Sequence, residues 1–145
     1  EFLSGIECSV FVLTDGKYYH ESIMQKMASH NDMPMLKVMD FISDMGAAYK
    51  ATDLVISRAG ASSISEFCLI GKPVILVPSP NVAEDHQTKN AMALVEKDAA
   101  LMVKDVEAKD KVIKLALTTV NDAAKLESLA TNVKKLGLRS EEQHV

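Results

Sequence analysis

Residues 53–67 read DLVISRAGASSISEF: Asp53-Leu54-Val55-Ile56-Ser57 is a short apolar run that passes straight into Arg58-Ala59-Gly60-Ala61-Ser62-Ser63-Ile64-Ser65-Glu66-Phe67. The run is rich in β-branched residues and reads as a strand. From Ser62 to Ile70 the pattern becomes helical, with Gly71 able to end the helix and Pro73 blocking its continuation. A strand feeding a helix through three or four small residues is the first half of a βαβ unit, and that reading sets the fold class for the rest of the chain.

Working outward, the same alternation recurs. Upstream, Cys8 to Leu13 reads as a strand ending at the turn Thr14-Asp15-Gly16, followed by a helical stretch over His20 to Ser29. Asn31-Asp32-Met33-Pro34 breaks that helix. Met35 to Phe41 then reads as a strand, and Ser43 to Thr52 as a short helix with Met45, Ala48 and Tyr49 on one side. Downstream, Pro73 to Pro78 is apolar on both faces, as a buried parallel strand requires. Asp85 to Lys97 is helical with Ala91, Leu94 and Val95 on one face, and Ala99 to Val103 is the fifth strand. Glu107 to Leu136 carries a broken apolar stripe that Asn121-Asp122 splits into two helices, Asp122 serving as the second N-cap. Arg139 to Val145 reads as a polar tail without structure. The expected architecture is α/β, a Rossmann-like parallel sheet flanked by helices, built from right-handed crossovers. Residues 1–137 form the folded part and 138–145 the tail.

At 145 residues the chain fits one domain with a single core. A net charge of -4 argues against a nucleic-acid surface, which wants a basic stripe. Cys8 and Cys68 both fall in apolar or helical patterns and read as buried thiols in a reducing compartment. No apolar run reaches the roughly 18 residues that span a bilayer. The chain opens on Glu1-Phe2 with no initiating Met and no signal-peptide pattern, which fits a fragment of something longer.

In open parallel sheets, ligands bind beyond the carboxyl ends of the strands, where the loops following Phe41, Ser57 and Pro78 are expected to converge. The junction at 57–67 admits two readings. Ser63-Ile64-Ser65-Glu66 has the S-x-x-E spacing of a capping box, in which serine and glutamate satisfy backbone N–H groups. A capping box needs neither Arg58, Gly60 nor the extra serines. The other reading is a phosphate cradle: a helix N-terminus with its dipole and N–H groups, a Gly60 able to turn left-handed and admit a ligand, and Glu66 left for a ribose diol. Glu84 to Asn90 is similarly double, either a solvated first turn capped by Asp85 or a set in which His86, Gln87 and Asn90 share a helix face and read hydroxyls. Several sites are missing from the sequence. It has no G-x-G-x-x-G, no P-loop, no zinc spacing, no D-x-D pair for a metal-held diphosphate and no G-x-S-x-G elbow. No cofactor and no metal is expected.

The string Asp40-Phe41-Ile42-Ser43-Asp44-Met45, then Ala48-Tyr49, Asp53 to Ala61, Ser65-Glu66, Gly71-Lys72-Pro73, Val77-Pro78, His86-Gln87 and Asn90-Ala91 resembles the C-terminal domain of the family 28 GT-B glycosyltransferases of peptidoglycan synthesis. Thr14-Asp15-Gly16-Lys17 is similar to that family's T-G-K with an inserted Asp. The resemblance implies a donor-binding domain for UDP-N-acetylglucosamine. In such enzymes N-acetylglucosamine passes to an undecaprenyl-linked muramoyl-pentapeptide at the cytoplasmic face of the membrane. It further implies that Ile42, beside Phe41, reads the uracil edge, that Arg58 lines the nucleotide pocket, and that Gly60, Ala61, Ser62 and Ser63 hold the diphosphate. Glu66 would take the ribose hydroxyls, and His86, Gln87 and Asn90 the sugar and its phosphate. The family's first strand, its Gly-Gly-Ser loop and its whole N-terminal, acceptor-binding domain are not in this sequence. Nor is a credible general base, so the chain alone is expected to be inactive. Other readings are another UDP-sugar GT-B transferase, an epimerase-like enzyme with the same nucleotide pocket, or a nucleotide-binding module without chemistry.

Overall fold

The computed structural model describes residues 10–13, 36–39, 45–80 and 86–143. The chain divides into two compact units, Glu1–Ala48 and Tyr49–Val145, where a single core was expected. In the first unit β1 (Val10–Leu13) pairs in parallel with β2 (Leu36–Met39), in the register Val10 with Leu36 through Leu13 with Met39. The helix expected over His20 to Ser29 lies outside the described residues. Helix α1 (Met45–Lys50) follows, with Met45, Ala48 and Tyr49 half-buried and Gly46, Ala47 and Lys50 exposed, the one-sided pattern read from the sequence.

The second unit is built on a parallel sheet in the order β3 (Val55–Ser57), β4 (Val74–Leu76), β5 (Leu101–Met102). Between and after these strands run α2 (Ala61–Ile70), α3 (His86–Val95), α4 (Asp105–Val120) and α5 (Ala123–Gln143). Strand β4 is the centre, and every one of its residues is buried. Because successive side chains point to opposite faces, Val74 and Leu76 enter one core with Ala59, Phe67, Ala91, Leu94 and Val133, contributed by α2, α3, α5 and their flanks. Ile75 and Val77 enter a second core with Val103, against Val112, Leu115 and Ala116 of α4. Helices therefore cover both faces of the sheet, which explains why residues 73–78 show no polar alternation.

Helix boundaries follow local chemistry. Gly71 ends α2 in the left-handed region (φ 66°, ψ 35°), its N–H donating to the Phe67 carbonyl at 3.0 Å. Asp122 caps α5: its carboxylate accepts the Lys125 N–H at 3.1 Å, and its carbonyl accepts the Leu126 N–H at the same distance. One expectation fails at the end of the chain. Helix α5 continues to Gln143, through the segment read as an unstructured tail. Arg139, Glu141, Glu142 and Gln143 are good helix formers and no proline intervenes, so propagation from a packed helix continues.

Candidate functional site

The carboxyl ends of the three strands are held level by hydrogen bonds that carry the pairing one step past the strands. The Val77 N–H donates to Ser57 O at 2.8 Å, and the Val103 N–H to Leu76 O at 2.9 Å. The loops leaving β3 and β4 thus start from one edge of the unit. Helix α3 then ties them together. Gln87 Oε1 accepts the N–H of Ala59 at 3.1 Å and the N–H of Ser79 at 2.8 Å. Asn90 Nδ2, one turn on, donates to Ala59 O at 3.1 Å. Ala59 is fully buried, so both of its backbone groups need partners, and two side chains of one helix supply them.

Arg58 braces the same edge. Its guanidinium donates to Val77 O at 3.3 Å and pairs with Asp105, the first residue of α4, at 2.5 Å. Ser57 Oγ donates to the Arg58 carbonyl at 2.8 Å. Arg58 therefore links three elements at the edge where the resemblance implies the nucleotide pocket. Asp105 sits with Glu107 in the acidic first turn of α4, a favourable place for carboxylates beside the helix dipole.

Helix α2 starts differently from the capping-box reading. Its first residue is Ala61 and its N-cap is Gly60, in an extended conformation (φ -66°, ψ 150°) with no side-chain cap. Ser63 is thus the third helical residue and Glu66 the sixth, too far along for either to cap the start. Gly60 is not left-handed, as was expected of it. Its carbonyl accepts the Ile64 N–H at 3.0 Å, and a Cβ added to it meets nothing within 4 Å. Neither backbone strain nor internal crowding demands glycine here. What its missing side chain provides is open space at a helix start, where the first-turn N–H groups carry no capping side chain.

Glu66 is exposed on α2, and the next residue, Phe67, is buried at 2% exposure. Tyr49 stands edge-on to Phe67, ring centroids 6.3 Å apart and planes at 88°. Burial first, and then the nearby Glu66 carboxylate, raise the Tyr49 pKa, so the phenol keeps its proton. Burial likewise raises the pKa of the Cys68 thiol.

Of the residues singled out from sequence, Gly60, Ala61, Ser62, Ser63 and Glu66 lie on the first two turns of α2, and Arg58, Gln87 and Asn90 anchor the loop before it. His86 opens α3 and is exposed. Phe41 and Ile42, with Glu84 and Asp85, lie outside the described residues. Sequence reasoning missed Tyr49, Ser79 and Asp105. Tyr49 and Asp105 are joined to the site by contacts between distant chain segments, which no local spacing encodes. Among the described residues no group of three or more His, Cys, Asp or Glu gathers to hold a metal, and no helix is long and apolar enough to cross a membrane.

Comparison with known proteins adds to this geometry. The family model of the glycosyltransferase family 28 C-terminal domain matches residues 3–145. The UDP-N-acetylglucosamine--N-acetylmuramyl-(pentapeptide) pyrophosphoryl-undecaprenol N-acetylglucosamine transferase of Bacteroides thetaiotaomicron is 59% identical over 128 residues, covering 88% of this chain and 34% of the relative. The transferase of the same name from Phocaeicola vulgatus is 60% identical over 126 residues, covering 87% and 34%. The crystal structure of Acinetobacter baumannii MurG superposes with a TM-score of 0.74 at 28% identity, over 92% of this chain and 39% of that one. A glycotransferase of kitacinnamycin shares the fold at a TM-score of 0.58 and 19% identity, over 92% of this chain and 41% of that one. The chain spans about a third of the length of the relatives it matches.

Proposed function

The chain belongs to glycosyltransferase family 28, as its C-terminal domain, and from that premise we propose that it is the donor-binding part of an N-acetylglucosaminyltransferase of peptidoglycan synthesis. The donor is UDP-N-acetylglucosamine. The acceptor is the undecaprenyl-linked muramoyl-pentapeptide for which its relatives are named, met at the cytoplasmic face of the membrane through parts of the protein beyond this chain.

The observation that carries this reading is the start of α2. A helix N-terminus with no side-chain cap, a glycine whose Cβ position is open, and three small residues after it form a seat for a diphosphate at the carboxyl end of a parallel strand. In this assignment the N–H groups of Ala61, Ser62 and Ser63 face the phosphates. The positive end of the helix dipole then lies where charge gathers on the departing UDP. Glu66 accepts hydrogen bonds from the ribose hydroxyls, and Phe41 and Ile42 read the uracil. Gln87 has its oxygen taken by two backbone N–H groups, so its amide hydrogens serve as donors to the sugar. Asn90, which donates to Ala59, offers its oxygen as an acceptor. His86, at the first turn of α3, takes the phosphate next to the sugar. Arg58 acts indirectly, by holding Val77 and Asp105 in place behind the loop.

Attack by the acceptor hydroxyl on the anomeric carbon needs a general base. We assign that base, with the acceptor site, to the remainder of the protein. The test is a titration of UDP and UDP-N-acetylglucosamine into the chain, followed by amide NMR. Shifts are expected at Gly60, Ser62, Ser63 and Glu66, with no sugar transfer by the chain alone. Silence of those amides at millimolar ligand refutes donor binding, and turnover by the chain alone refutes the placement of the base.

A further inference from the structure

We propose that Asp105 is a positioning residue for the diphosphate seat at the start of α2, acting through Arg58. This rests on the reading of that seat given above and deepens it.

The chain from Ser57 to the helix start is held on several sides. Ser57 O accepts the Val77 N–H, Gln87 and Asn90 take the two backbone groups of Ala59, and Gly60 O accepts the Ile64 N–H. These bonds tie the loop to β4, to α3 and to its own helix. The Arg58 side chain extends the ties to α4. Its Nη1 serves both partners, Val77 O at 3.3 Å and Asp105 Oδ1 at 2.5 Å. The contact with the neutral carbonyl is long, whereas that with the carboxylate is short and charge-assisted. Asp105 is therefore the stronger hold on the guanidinium and decides where it lies. Asp105 is itself anchored: it stands two residues after Val103, whose N–H donates to Leu76 O at 2.9 Å. The brace thus runs from the end of β5 through Asp105 and Arg58 to the loop that presents the first N–H groups of α2. Preorganised donors bind an anion without the cost of ordering them when it arrives. By charge alone Asp105 would do the opposite, since a carboxylate at this edge repels a diphosphate.

The two effects have opposite signs, and D105N separates them. Asparagine keeps the shape and removes the charge that holds the guanidinium. In the full-length protein carrying this chain, calorimetry would compare UDP with uridine, which lacks the diphosphate, alongside thermal unfolding. The expected result for D105N is a loss of about three- to ten-fold in UDP affinity, as for one net hydrogen bond. Uridine affinity should be unchanged. So should the melting temperature, because an ion pair with side chains 56% and 33% exposed adds little to stability. D105E, which keeps the carboxylate, should restore most of the UDP affinity. R58K keeps a positive charge but not the planar fork, and should weaken UDP binding in the same way. In that background D105N should add little, since the two residues act as one unit. UDP affinity unchanged or raised in D105N overturns the positioning role and leaves the seat in place; a rise is also what a guanidinium released to grip the phosphates itself would give. Equal weakening of UDP and uridine, with a lower melting temperature, also overturns it, in favour of a purely structural ion pair. Equal binding of UDP and uridine by the unsubstituted protein overturns the seat and the positioning role together.

Discussion

Replacing Gly137 by alanine sets two physical effects against each other, and the structure decides between them. Gly137 lies inside α5, where alanine is better than glycine by about 1 kcal/mol in helix propensity. Judged by the helix alone, G137A is a stabilising substitution. Yet Gly137 is buried where α5 crosses α2, and a Cβ built on it falls 2.4 Å from Cys68 O, 2.9 Å from Cys68 C and 3.4 Å from Leu69 N. The obstacle is backbone, so no rotamer change relieves it. Restoring ordinary contact requires α5 and α2 to separate by roughly 1 Å, and a gap of that size forfeits a quarter to a half of each dispersion contact across it. The contacts at risk are those of Phe67 on one helix and Val133 on the other, both within the larger core. Overpacking of this kind costs about 1–3 kcal/mol. Setting about 1 kcal/mol of propensity against the upper half of that range leaves a net loss of about 1–2 kcal/mol. For a chain of this size that is a fall in Tm of roughly 2–8 °C. Thermal unfolding followed by circular dichroism, with urea titration for the free energy, measures it. A Tm for G137A equal to or above that of the unsubstituted chain refutes the reasoning, because propensity would then have prevailed over the helix crossing.

Three further outcomes follow from the same structure. Gly71→Ala forces a Cβ into the left-handed region beside Lys134, with 3.2 Å to its Cβ, and should lower urea stability by about 1–2 kcal/mol, with asparagine better tolerated than alanine. Gln87→Ala removes the shared acceptor of the Ala59 and Ser79 N–H groups, and a loss of about 1–3 kcal/mol is expected from the fully buried Ala59 N–H; hydrogen exchange should rise at the Ala59 amide first. Tyr49 and Cys68 both have pKa values raised in the folded chain, so each is protonated more readily there than when unfolded. Their contribution to stability is complete below the unfolded values and is lost as pH rises through them and up to the folded values, above about pH 8.5. Y49F and C68A should each flatten the alkaline limb of a stability–pH curve, and a curve unchanged by both substitutions would contradict the cause assigned.

Much of this protein was legible without its structure, for reasons that are local. Two periodicities, near 2 and 3.6 residues, separate strands from helices. The all-apolar run Val74-Ile75-Leu76 could only belong to a strand covered on both sides, and the structure covers it on both. Gly71 and Asp122 stop and start helices through their own backbone preference and side-chain oxygen, so the sequence alone places them. The string from Asp53 to Glu66 carries the family because strand, turn and helix start are contiguous.

Tertiary structure alone decided how the site is held. Gly60 and not Ser63 begins α2, because helix start depends on which backbone groups the loop before it can satisfy, and Gln87 and Asn90 of a later helix satisfy those of Ala59. Arg58 became a strut once folding brought Asp105, forty-seven residues away, within reach of its guanidinium. Tyr49 stands edge-on to Phe67, eighteen residues further along the chain, because folding brings both rings to the larger core. Propensity and spacing act over a few residues. Whether a polar side chain turns outward to a ligand or inward to the backbone is settled by partners that only the folded chain assembles.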